Sequence, residues 1–162
     1  MPTPLSAEIA STTARLVVEE GLEWGPAKRR AVRQLGLPAR TPLPDNDEVE
    51  DAVREYIALF CADTQPRELR ALRQLALVWM ERMSAFRPHL GGAVWRGTAT
   101  RLSDIYLQLF CDDSKSVGEM IGVHLLIYDL DDLRGALRPD TKGRSPRGDI
   151  TAVRRLLQEN AP

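Results

Sequence analysis

The segment from Leu90 to Phe110 constrains the fold more than any other part of the chain. It combines three glycines, Gly91, Gly92 and Gly97, with a run in which apolar and polar residues alternate. Glycine lets the backbone turn tightly or approach a ligand closely. Alternation over Ile105–Leu109 is typical of a β-strand that buries one face. The segment therefore predicts a glycine-bearing turn that leads directly into a strand.

An aspartate lies where that turn enters the strand. Asp104 precedes the alternating run by one residue and follows Ser103. A carboxylate in this position, facing a glycine-rich loop, suits a divalent cation that bridges to phosphates. Asp104 is therefore the leading candidate for a metal ligand.

These residues resemble the signature of the minimal nucleotidyltransferase (polymerase-beta-like) superfamily. That signature runs from an apolar-Gly-Ser motif, through a second glycine, to a Ser-Asp-Ile-Asp-Leu strand. Without gaps, Gly92 and Ala93 align with the Gly-Ser pair, and Arg96–Gly97 with the Arg-Gly that closes the first turn. Ser103–Leu107 aligns with the strand motif. The similarity covers roughly twenty residues, with a helix expected before it and a strand after it.

The resemblance implies a protein that binds a nucleoside triphosphate with Mg²⁺ and transfers a nucleotidyl group to an acceptor. On this interpretation Asp104 and Asp129 are the catalytic residues and the metal ligands. Backbone N–H groups of the glycine loop hold the triphosphate, and the nucleotide-binding residues are Gly92, Ala93, Arg96, Gly97 and Ser103.

The family has its third acid on a strand such as the apolar run Val123–Tyr128. Two residues there are candidates: His124 within the run and Asp129 at its end. Asp129 has the chemistry of the family residue, whereas His124 offers a nitrogen ligand. A lone histidine on an apolar strand is more often a hydrogen-bonded core residue.

Two positions depart from the family pattern. Tyr106 replaces the second strand acid, and Ala93 lacks the serine hydroxyl. A phenol is uncharged at neutral pH and is a poor ligand for magnesium. A two-metal mechanism needs several oxygens shared between ions roughly 4 Å apart. The alternative function is therefore a catalytically inactive protein on the same fold, acting as a binding or regulatory module.

A third hypothesis is a helical interaction domain that is unrelated to this superfamily. It predicts no strand pairing between Leu90–Trp95, which we expect to form the first strand, and Ile105–Cys111.

The rest of the chain predicts helices around a small sheet. We expect an α+β protein with a helical N-terminal region at 1–64, followed at 65–162 by a small mixed sheet with flanking helices. Apolar residues from Leu69 to Phe86 recur on one helical face and predict a long core helix, with Arg67, Arg70 and Arg73 on its other faces. Residues 134–148 predict a mobile basic loop before a C-terminal helix.

Two segments share a similar sequence. Tyr56–Gln65 and Tyr106–Lys115 both contain Leu-Phe-Cys followed by acidic residues. The first continues a helical pattern and the second follows the glycine turn, so we expect a helix and a strand. The similarity is interpreted as a coincidence and not as an internal repeat.

Composition limits the partners and the compartment. The net charge is −1, so no overall field attracts nucleic acid or an anionic membrane. No apolar run reaches the length of a membrane span, and the N-terminal sequence lacks the pattern of a secretory signal. Cys61 and Cys111 are typical of buried thiols in a reducing compartment. We expect a cytoplasmic protein whose N-terminal helices contact a protein partner or a second copy of the chain.

Overall fold

The structure, a computed structural model of the whole sequence, describes residues 1–111, 123–128 and 133–160. The chain divides into two compact units, Met1–Gln65 and Pro66–Pro162. The α+β fold class is confirmed, because a helical N-terminal half is followed by a small mixed sheet. In the described ranges no helix is long and apolar enough to cross a membrane.

The first unit consists of helices arranged around its first helix. Its elements are α1 (Pro4–Glu20), α2 (Trp24–Gln34) and α3 (Asn46–Phe60). The Asp45 side chain accepts the Glu48 backbone N–H while the Glu48 carboxylate accepts the Asp45 N–H, a capping box that begins α3. Because α1 is apolar on two faces, it packs on both neighbours. One cluster joins it to α2 (Ile9, Leu16, Ala27, Ala31, Val32) and another to α3 (Ala14, Val18, Val49, Val53, Ile57).

The second unit builds a three-stranded sheet against a long helix. In chain order it contains α4 (Gln65–Arg82), a 3₁₀ turn (Ser84–Phe86), β1 (His89–Gly91), α5 (Gly92–Arg96), β2 (Ile105–Phe110), β3 (Val123–Tyr128), α6 (Leu133–Ala136) and α7 (Ile150–Glu159). The core lies between α4, the sheet and α7 and contains Ala76, Met80, Leu90, Val94, Ala99, Ile105, Leu107, Val123 and Val153.

The strands lie in the order β1-β2-β3. β1 is antiparallel to β2, with Leu90 opposite Leu107. β3 is parallel to β2, with Ile105 opposite Val123. The pairing of β1 with β2 contradicts the expectation of the third hypothesis, a helical domain without strand pairing in this region.

The first predicted strand is shorter than expected. Leu90–Trp95 was assigned to one strand, but β1 ends at Gly91 and the chain enters α5 at Gly92. Gly92 has φ of +67°, a left-handed conformation that breaks an extended strand and that glycine adopts without strain.

The long helix α4 presents an arginine to the core. We expected Arg73 on an outer face, but it is only 7% exposed. Its Nε donates to the Val94 carbonyl and its Nη2 to the Trp95 carbonyl, both at 3.0 Å. These carbonyls lie in the last turn of α5, where a cation also interacts favourably with the helix dipole. Burial lowers the pKa of the Arg73 guanidinium. The side chain therefore fixes α5 to α4.

The basic segment at 134–148 is held against the sheet and is not a loose loop. Gly148 exchanges two backbone hydrogen bonds with Leu90, at 2.7 and 2.9 Å, and so extends the sheet beyond β1. The Trp95 indole Nε1 donates to the Ser145 carbonyl at 2.8 Å. Asp140 accepts the backbone N–H groups of both Lys142 and Arg144, which closes a turn.

Candidate functional site

Asp104 lies at the start of β2, as the sequence predicted. A tight turn precedes it: the Ser103 hydroxyl accepts the Thr100 N–H at 2.9 Å, and the Ser103 N–H donates to the Thr100 carbonyl at 2.8 Å. The Asp104 side chain is 52% exposed. The carboxylate is thus presented to solvent by a hydrogen-bonded turn, whereas the hydroxyl of Ser103, a predicted nucleotide-binding residue, accepts a bond within the protein.

His124 is the side chain that the fold brings to Asp104. Its Nε2 lies 3.0 Å from the Asp104 Oδ2. The parallel pairing of β2 with β3 places Tyr106 opposite His124, and their rings stack with centroids 4.6 Å apart and an interplanar angle of 11°. Alternate residues of a strand share a face, so Asp104 and Tyr106 both meet His124. We call these three side chains the Asp104–His124–Tyr106 cluster.

Gly92 connects the glycine turn to this cluster. A Cβ at position 92 would lie 3.3 Å from the Tyr106 Cδ2, closer than most real Cβ contacts. Together with its positive φ, this contact explains why the position suits glycine. The first glycine of the signature therefore supports the Tyr106 ring, a role that sequence spacing did not indicate.

The rest of the glycine turn is closed by its own hydrogen bonds. The backbone N–H groups of Gly97 and Thr98 both donate to the Ala93 carbonyl, at 2.9 and 3.0 Å. Gly97 has φ of +87° and ends α5. Arg96, the last residue of α5, is exposed. We expected loop N–H groups to hold phosphate, but the Gly97 donor is already used within the turn.

The second predicted metal ligand, Asp129, lies outside the described residues. β3 runs parallel to β2, so its last residue, Tyr128, pairs with Phe110 at the end of β2 opposite to Asp104. The structure brings His124, the other candidate, to Asp104. The signal for this contact was present in the sequence as two apolar runs, but the pairing register was needed to identify it.

The donor atoms of this cluster do not match a pair of magnesium ions. They comprise one carboxylate, one imidazole and one phenol, whereas Mg²⁺ prefers oxygen ligands and a two-metal centre shares several carboxylates. Within ranges 1–111, 123–128 and 133–160, no group of three or more His, Cys, Asp or Glu side chains is placed to hold a metal ion.

Comparison of the chain with protein-family models, curated proteins and solved structures finds no match.

Proposed function

We propose that the second unit is a nucleotide-binding module of the nucleotidyltransferase-like type, which holds a nucleoside triphosphate and its divalent cation beside Asp104. The observation that carries the proposal is the half-exposed Asp104 carboxylate at the entrance of β2, directly after the Thr100–Ser103 turn that follows the glycine turn. It agrees with the resemblance of residues 92–107 to the family signature.

The chemistry of this edge of the sheet suits a phosphate-bearing ligand. A triphosphate carries several negative charges, and a cation held by a carboxylate bridges to them. Arg96 is exposed, and the resemblance gives it the role of neutralising phosphate charge.

The tyrosine at position 106 favours nucleotide binding without nucleotidyl transfer. It occupies the strand position of the second family acid, and its ring stacks on His124 instead of offering a carboxylate. A phenol stays protonated at neutral pH and contributes no charge to a metal centre. We therefore propose a binding or regulatory role, with nucleotidyl transfer as an outcome that experiment distinguishes.

The test is thermal unfolding of the full chain with ATP, GTP, CTP or UTP, each with Mg²⁺ or Mn²⁺. A ligand at a hundred times its Kd stabilises the folded state by about 2.7 kcal/mol, which raises Tm measurably. We expect at least one nucleotide–metal pair to raise Tm, and Asp104→Asn to abolish the rise. Asp63→Asn, a matched control at an exposed aspartate of the first unit, should respond as the wild type does.

Two results would change this proposal. If no nucleotide raises Tm with either metal, the nucleotide-binding proposal is refuted. If the chain releases pyrophosphate from a nucleotide that it binds, the unit is a transferase and the restriction to binding is wrong.

For the first unit we propose self-association through the end of α3. Leu59 and Phe60 are 68% and 69% exposed there, which is unusual for adjacent large apolar side chains. Light scattering should show a dimer whose mass falls to that of the monomer in Leu59→Ser/Phe60→Ser. Leu43→Ser, at a less exposed leucine of the same unit, is the control and should remain dimeric. A monomeric wild type at high concentration refutes the proposal.

A further inference from the structure

The nitrogen donor of the Asp104–His124–Tyr106 cluster suggests a cation other than magnesium. We infer that Asp104 and His124 together bind a single divalent transition-metal ion, of the Mn²⁺ to Zn²⁺ series, in preference to Mg²⁺. This inference rests on the proposed function in one respect: the phosphates of the nucleotide are the ligands that would complete the coordination of the ion.

The distance between the two donors fits one shared ion. Nitrogen and oxygen ligands lie about 2.0–2.2 Å from Zn²⁺. Two such ligands at the tetrahedral angle that Zn²⁺ prefers are therefore separated by roughly 3.4 Å. The His124 Nε2 and the Asp104 Oδ2 are 3.0 Å apart. The two side chains are hydrogen-bonded at this distance, and rotations that separate the donors by a few tenths of an ångström would let both coordinate one ion.

The site is both open and supported. The side chains of His124 and Asp104 are 40% and 52% exposed, so the remaining coordination positions face solvent. The stacked Tyr106 ring restricts the plane of the imidazole, and Gly92 lies directly against that ring. Groups that orient a ligand side chain in this way strengthen metal binding.

The donor types determine the choice of metal. Imidazole suits zinc, copper, iron and nickel, whereas magnesium prefers carboxylate, carbonyl and water oxygens. With one donor of each kind, we expect Zn²⁺ to bind at least roughly tenfold more tightly than Mg²⁺.

The experiment uses Zn²⁺ alone, without nucleotide, on the full chain with Cys61→Ser to remove a partly exposed thiol. Imidazole ¹⁵N resonances report each histidine separately. His89 is an internal control, because it is 7% exposed and its Nδ1 lies 2.8 Å from the Arg87 carbonyl oxygen. We expect saturable Zn²⁺ binding that shifts the Nε2 resonance of His124 and leaves His89 unchanged.

Two variants test the ligand assignment. Asp104→Asn and His124→Gln should each weaken Zn²⁺ binding roughly tenfold or more in calorimetry, and backbone amide spectra should show that both remain folded. The inference is overturned if Zn²⁺ shifts neither histidine or both alike, if either variant binds Zn²⁺ as the wild type does, or if equimolar Mg²⁺ displaces the ion. Because no nucleotide is present, the result is independent of the nucleotide-binding test. If zinc binds but no nucleotide raises Tm, the nucleotide-binding proposal is refuted and the zinc-binding inference stands.

Discussion

Replacement of Gly148 by alanine should strongly destabilise the second unit. A Cβ at position 148 would lie 2.2, 2.3 and 2.8 Å from three atoms of the Trp95 ring. Real Cβ atoms essentially never approach other heavy atoms this closely, so either the indole or the backbone must move. Movement of the indole breaks its bond to Ser145, and movement of the backbone breaks the two hydrogen bonds with Leu90.

The expected magnitude follows from these contacts. Inserting a methyl group into a well-packed site costs about 1–3 kcal/mol. Each lost hydrogen bond adds about 1 kcal/mol. We therefore expect Gly148→Ala to lower the free energy of unfolding by about 2–4 kcal/mol.

Urea unfolding of the full chain, followed by circular dichroism and tryptophan fluorescence, measures this loss. Gly135→Ala is the matched control, because a Cβ there meets nothing within 4 Å and alanine favours the helix α6 by about 0.5–1 kcal/mol. A smaller side chain at position 95 should relieve the clash, so Trp95→Leu and Gly148→Ala should be less than additive. Stability within about 0.5 kcal/mol of the wild type for Gly148→Ala would refute the packing argument.

Three further outcomes are expected. Arg73→Met leaves one buried and one partly buried carbonyl without their donor and should lower the unfolding free energy by about 2–4 kcal/mol in urea. A neutral effect would contradict the conclusion that Arg73 fixes α5 to α4. Gly92→Ala combines a left-handed φ with a close contact to Tyr106 and should cost about 1–3 kcal/mol in the same assay, and an unchanged midpoint would disprove that strain. The Tyr56 hydroxyl donates to Glu19, which raises the pKa of Tyr56 to about 12. The hydrogen bond between Tyr56 and Glu19 therefore contributes fully to stability below pH 10, and the contribution is lost as the pH rises from 10 to 12. Glu19→Gln should return the pKa of Tyr56 toward 10 in a phenolate absorbance titration. An unchanged titration would contradict the assignment of the shift to Glu19.

Local sequence signals located many elements correctly. The long apolar stripe predicted α4, and the alternation after Asp104 predicted β2. The same signals failed where a charged side chain is buried because it donates hydrogen bonds to backbone carbonyls. Arg73 follows Leu72 on α4, and periodicity assigns an arginine to solvent unless its acceptors are known. Those acceptors are carbonyls of α5. The sequence analysis predicted a strand in that segment and not a helix.

In the candidate site, too, local sequence patterns identified one residue, and the tertiary structure was needed to identify its partner. Asp104 was identified from its position after the glycines, because turn and strand patterns are local. Its contact with His124 depends on the parallel register of β2 and β3, which joins residues twenty positions apart. Apolar runs on two strands are compatible with several registers, so the sequence left His124 and Asp129 as alternatives.

The two Leu-Phe-Cys segments show what each level of structure decided. The sequence alone determined that the first lies in a helical pattern and that the second follows a turn, and the structure has Phe60 in α3 and Phe110 in β2. Tertiary structure decided their environments: Leu59 and Phe60 are 68% and 69% exposed, whereas Leu109 and Phe110 are 0% and 1% exposed. The tripeptide is the same in both, so its hydrophobicity cannot determine burial. Burial is determined by the elements that pack around the strand or the helix end. Those elements come from distant parts of the chain.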